Sequence, residues 1–187
     1  MNIQTPTSET PNASNEDIRV AQDKVIARLA ADPASALTTN VLTARVGEGL
    51  TCAVEQGKFS TVMDLGPAMG GAARGPGPGF FAKAGLAGCV AIAVKMTAAR
   101  EGIDIRSVDL RLETDSDDLA LFGIGDNSAA PLETRIMLEV KSSAADGVIE
   151  ALVARVLECS PWFLAFRDPR NVTVKTVVNK VNRSNLP

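Results

Sequence analysis

Residues 80–100, "FFAKAGLAGCVAIAVKMTAAR", are small or apolar on nearly every side until Lys95. A helix of that make-up offers water no polar face, so other elements must be packed around it. Ala82, Ala84, Gly85, Ala87, Gly88, Ala91 and Ala93 remove side-chain bulk and let neighbouring backbones come close. Each glycine costs about 1 kcal/mol of helix propensity against alanine, and packing has to offset that cost. Gly102 is the expected C-terminal stop.

The elements available for wrapping are legible from periodicity. Residues 1–14 are polar and Pro/Ser/Thr-rich, predicting a disordered tail. Asn15 is the expected N-cap of a helical extension over 15–34, with Ile18, Ala21, Val25, Ile26 and Leu29 on one face and Pro33 as its stop. Three strands are predicted over 36–46, 50–56 and 58–65, the last two joined by a tight turn at Gln56-Gly57 that puts Cys52 and Val54 on one face. The Gly/Pro-rich stretch 66–79 can only be a loop. Further on, 104–115 and 132–142 alternate as strands around a variable loop at 116–131. A helix over 144–158 with Val148, Leu152, Val156 and Leu157 inward ends at Cys159-Ser160-Pro161, and 171–178 reads as a final strand before a short tail at 181–187. The order α-βββ-α-ββ-α-β predicts an α+β fold of mainly antiparallel sheets, with the main domain over 35–180.

Composition narrows the chemistry. The chain has no histidine, which removes Ser-His-Asp and Cys-His nucleophile activation and His-based zinc sites. Its three cysteines show no CxxC pairing, so neither a metal site nor a bound cofactor is expected. Acid–base or nucleophilic chemistry must come from Cys, carboxylates, Lys or Arg. A net charge of −3 without a long basic cluster predicts no nucleic-acid partner. The N-terminus lacks a basic segment followed by an apolar run, and no apolar stretch approaches the roughly 20 residues of a bilayer span, so no membrane association is expected and the cytoplasm is the expected location.

Among the cysteines, Cys52 lies on a strand with nothing nearby to activate it. Cys89 has no charged residue three or four positions away on its own helix, so it is either a small hydrophobe or a nucleophile activated from elsewhere. Cys159 closes a helix, where Arg155 four residues earlier favours a thiolate and the helix C-terminus opposes one. The loop before the long helix could present amides to an anion or be a plain connection; it matches neither a P-loop nor a dinucleotide fingerprint.

Two stretches carry a family resemblance. "MDLGPAMGGAARGPGPGFFAKAGLAGCVAIAVKMTAAREGIDIRSVDLRLE" (63–113) resembles the core of the OsmC/Ohr family, with a strand ending in Asp, a Gly-Gly turn, a Gly-x-x-Pro loop, a small-residue helix holding a cysteine and an alternating strand. "ALVARVLECSPWFLAFRDPRNV" (151–172) resembles its second cysteine helix, and the likeness spans roughly 41–178. The resemblance implies an OsmC-like intertwined homodimer, with curved antiparallel sheets wrapped around long central helices and the cysteine pair near the interface. It also implies a redox-active pair: Cys89 attacks an organic hydroperoxide and becomes a sulfenic acid, Cys159 resolves it to a disulfide, and a dithiol reductant regenerates the thiols. This is the antioxidant peroxidase (oxidoreductase) chemistry of a stress response.

The chain departs from the family pattern in two places. Where active members carry a glutamate just before the helix, this chain has Gly77-Pro78-Gly79-Phe80-Phe81. For the arginine that pairs with the first cysteine, Arg45 is the nearest candidate, although Glu48 or Gly49 falls closer to its place; Arg74 and Arg155 are the other cations. A second expectation follows: a catalytically degenerate protein of the same fold, binding a hydrophobic small molecule in a pocket made apolar by Phe80 and Phe81. The extension 15–31 is expected to wrap a dimer or cover a sheet.

Overall fold

In the computed structural model, residues 12–179 are described, so the expected tail at 181–187 and all but residues 12–14 of the expected tail at 1–14 lie outside them. Helix α1 runs Asn15–Ala31, one residue after its cap. Ser14 accepts from the Asp17 amide while Asp17 receives the Ser14 amide and hydroxyl, a reciprocal capping box that outcompetes Asn15. A 3-10 turn at Pro33–Ala36 follows. The expected strand 36–46 survives only as β1, Thr43–Val46, because 37–42 find no ladder partner.

Strands β2 (Cys52–Gln56) and β3 (Phe59–Met63) form the expected antiparallel hairpin, but its two-residue turn is Gly57-Lys58 rather than Gln56-Gly57, because Gln56 pairs with Phe59 in the ladder. The sheet order is β1-β2-β3. Val54 is its buried member and Cys52 on the same face is half-buried.

The stretch beyond β3 is not all loop as expected, since it holds a 3-10 turn at Pro67–Met69 and the start of the next helix at Pro78, and it folds back onto β3. The Asp64 amide donates to the Pro76 carbonyl and the Ala73 amide to that of Leu65. Asp64 itself is buried, and its carboxylate accepts from the amides of Leu65, Ala72 and Arg74 and from the Thr51 hydroxyl. Burial alone would push this carboxyl up, yet those donors together hold it below the usual aspartate value. The depressed value means Asp64 stabilises the fold above the unfolded-state pKa, near 4, and loses that contribution as pH falls through its lower folded value. Acid titration followed by circular dichroism should therefore show a flatter low-pH decline for Asp64→Asn, from a Tm already several degrees lower at neutral pH.

Gly75 is fixed by close approach: a Cβ there would collide with the Val62 carbonyl oxygen. Gly75→Ala should cost about 1–3 kcal/mol in chemical denaturation, since strand backbone has to move.

Helix α2 spans Pro78–Glu101. Leu86, Val90, Val94 and Ala98, each four residues on, make one fully buried stripe. The expectation of burial on all sides is therefore met on one side only within a single chain, and Ile92 and Met96 stay exposed. Among the described residues α2 is also the one helix long and apolar enough to cross a membrane, which corrects the expectation that no stretch approaches that length. The run is continuous because only Lys83 and Lys95 interrupt it before Arg100. It ends at Gly102, whose φ of 68° lets the Ile103 amide bond back to Ala98.

Strands β4 (Ile105–Asp115) and β5 (Glu133–Ser142) form a separate antiparallel pair. An irregularity between Ile105 and Ser107 shifts the phase and explains why the inward residues run 105, 108, 110 and 112. A short α3 (Asp118–Leu121), capped by the Asp117 carboxylate, interrupts the variable loop. Helix α4 covers Asp146–Leu157, and α5, Pro161–Arg167, is an element the sequence reading did not anticipate. The core gathers Val94, Ala98, Ile105, Leu152 and Val156, so α2, β4 and α4 share one centre. Helix α1 lies on α2 rather than on a sheet.

The predicted last strand at 171–178 is not one. These residues form no ladder, and Val172 and Val174 are 81% and 87% exposed. Their alternation is a strand pattern without a partner edge among the described residues.

Candidate functional site

Cys89 sits half-buried on α2, between the buried Leu86 and Val90. Among the described residues its Sγ has one side-chain hydrogen-bond partner, the Ser160 Oγ at 3.2 Å. Ser160 is fully buried and occupies the N-cap of α5, but its hydroxyl does not cap that helix. The hydroxyl is turned toward the sulfur instead, and the first amides of α5 are left without a side-chain cap.

Cys159 lies one residue earlier and is exposed. It is not on α4, as its spacing from Arg155 suggested; α4 ends at Leu157 and the Cys159 amide closes a turn onto the Val156 carbonyl. Both Cys89 and Cys159 are free thiols. The structure thus brings the junction holding Cys159 to Cys89, with Ser160 as the residue in contact.

The cations stand elsewhere. Arg155 is paired with Glu101 at 2.6 Å. Arg74 engages Asp64 through its backbone amide. Arg45 is exposed on β1 opposite Ala53, with no hydrogen bond or ion pair to either thiol, and the packing partners of α2 are β4, α1, α4 and α5. Among the described residues no cation is hydrogen-bonded to the Cys89 sulfur, whose side-chain partner is Ser160. Around the junction, Arg167 binds Glu158 and Asp168, each at 2.7 Å, and that guanidinium holds both carboxyls below their usual values.

A cavity of about 380 Å³ opens at Leu86, on the same helix as Cys89 but not lined by it, and is bounded by Ile136, Phe163 and Phe166 together with the polar Glu133, Thr134 and Arg167. Its aromatic residues come from α5. Phe80 and Phe81, expected to make the pocket apolar, stack edge-to-face on each other with centroids 5.4 Å apart and do not line it. Sequence reasoning missed α5 and Ser160, although Ser-Pro is a helix-start signature that could have found both.

A family model described as OsmC-like protein matches residues 70–175. Among solved structures, an OsmC like protein from Mycoplasma pneumoniae superposes with a TM-score of 0.60 at 18% identity, over 70% of this chain and 88% of that one. The organic hydroperoxide resistance protein OsmC from Legionella pneumophila does so with a TM-score of 0.50 at 20% identity, over 70% and 90%. At these identities the likeness is one of fold. No curated protein matches the sequence.

Proposed function

The chain belongs to the OsmC-like family, and on that premise we propose that it is a thiol-dependent peroxidase reducing organic hydroperoxides, with Cys89 as the attacking thiol and Cys159 as the resolving one. One observation carries this reading: the half-buried Cys89 of α2 is met, 71 residues along the chain, by the turn that holds the second thiol. The Cys89 thiolate attacks the distal oxygen of ROOH; the O–O bond breaks, the alkoxide leaves as ROH with a proton, and Cys89 becomes a sulfenic acid. The cavity at Leu86 offers Ile136, Phe163 and Phe166 to the organic part of the substrate, with Glu133, Thr134 and Arg167 as its polar lining.

The reading includes a homodimer. Leu37, Val41, Phe59, Ile92, Val172 and Val174 are exposed apolar residues spread over β1–β3 and their approach, α2 and the C-terminal segment. In a second copy they find cover, the 171–178 segment finds a sheet edge, and Arg45 of one chain can approach Cys89 of the other. Sedimentation at twice the 19.5 kDa chain mass is expected; a monomer at micromolar concentration would sink the dimer and Arg45 with it.

The decisive assay follows cumene hydroperoxide loss with purified protein and a dithiol. Turnover is expected, and an absence of consumption overturns the peroxidase. In that case the same cavity supports the second reading, a binder of hydrophobic small molecules. Native mass spectrometry without a retained ligand would then count against it.

A further inference from the structure

The turn between α4 and α5 places Ser160, not Cys159, against the Cys89 sulfur. Ser160 is fully buried, while the neighbouring Cys159 is exposed. The turn is also closed on itself, because Arg167 at the end of α5 reaches back to Glu158 at the end of α4. A disulfide needs the two Cα atoms within about 7 Å and both Cβ vectors turned toward each other. The position that presents its side chain to Cys89 is already filled by a serine hydroxyl.

We infer that Ser160 is the positioning residue of Cys89, and that Cys159 reaches Cys89 only after the 158–160 turn reorganises. The chemical meaning of this rests on the peroxidase reading. After the first step the hydroperoxide has taken two electrons and left as ROH, and Cys89 carries –SOH beside the Ser160 hydroxyl, which can hydrogen-bond to it but supplies no thiol. Resolution requires the Cys159 thiolate to attack the Cys89 sulfur; the S–S bond forms, the S–O bond breaks, and the hydroxide leaves as water with a proton. Ser160 must swing out and the Glu158–Arg167 pair must yield, a weak surface tie that slows the turn without forbidding it.

Moving the thiol by one residue tests this. The variant carrying both Cys159→Ser and Ser160→Cys, and the wild-type chain, each receive one equivalent of cumene hydroperoxide, and disulfide closure is timed by peptide mass mapping. Closure from Cys89 to the introduced thiol at position 160 is expected to be at least about tenfold faster than closure of the native pair, a barrier difference of about 1.4 kcal/mol. Native closure as fast as the variant's overturns the inference. The same comparison with diamide as oxidant needs no peroxidase activity. If peroxide leaves Cys89 untouched, the peroxidase reading fails while the diamide rates still decide the role of Ser160. Should the double variant not fold, Ser160→Ala carries the test: the native pair closes faster than in wild type, and an unchanged rate overturns the inference.

Discussion

On the proposed reading, Cys89→Ser is expected to reduce hydroperoxide consumption to the uncatalysed background, a loss of several orders of magnitude, since the proposed nucleophile is removed. The chain has no histidine to activate a substitute hydroxyl. Serine is nearly isosteric, and the hydrogen-bond contact with Ser160 survives the exchange, so stability should change little and the loss can be assigned to chemistry. Cys159→Ser behaves differently: the first equivalent of peroxide is still consumed, and the protein gains the mass of one oxygen at Cys89. Cys52→Ser on β2 leaves both readouts unchanged, because Cys52 pairs with Val46 and Met63 on the three-stranded sheet and takes no part in the junction. Consumption that persists in Cys89→Ser would move the activity elsewhere in the chain.

The largest expected stability effect belongs to Leu152→Ala. Leu152 on α4 is fully buried in the core shared with Val94, Ala98, Ile105 and Val156. Truncation removes its transfer free energy and leaves a cavity that the small Ala98 across the contact cannot fill, a loss of about 3 kcal/mol in urea denaturation. For a chain of this size the Tm should fall by about 6–12 °C. Leu152→Met keeps the volume and should cost less than about 1.5 kcal/mol. Equal losses for the two variants would mean that shape rather than volume governs the site. Helix α4 also leads into the Cys159-Ser160 turn, so the alanine variant tests whether that junction depends on the core below it.

Much of the fold was written in local pattern. The two alternating strands, the hairpin, the Gly/Pro connection and the long small-residue helix are each dictated by periodicity or by backbone demands, and the residues show them directly. What escaped depends on partners that pattern cannot name. Val172 and Val174 alternate like a strand, but alternation does not say whether the receiving edge lies in the same chain. Arg45 is in the same position: its neighbours in sequence specify a strand, and nothing in them specifies a distant thiol. At the site, Cys89 and Cys159 stood out by residue type, whereas Ser160 was read with Pro161 merely as a helix breaker. The physical content of that dipeptide is a start as well as a stop, and the start carries the hydroxyl that faces Cys89.

The Asp64 carboxylate, with its donors from residues 51, 65, 72 and 74, has a consequence for how the chain tolerates cutting and lengthening. A stretch so rich in glycine and proline would ordinarily be chosen for a protease nick, a domain insertion or a permuted terminus. Here most of its backbone freedom is already spent on one buried anion, and the segment behaves as a knot tied immediately before the central helix. Extra residues are better placed in the variable loop at 121–130, where the chain is exposed. Residues added between 71 and 76 would untie the knot and change where the helix bearing Cys89 begins.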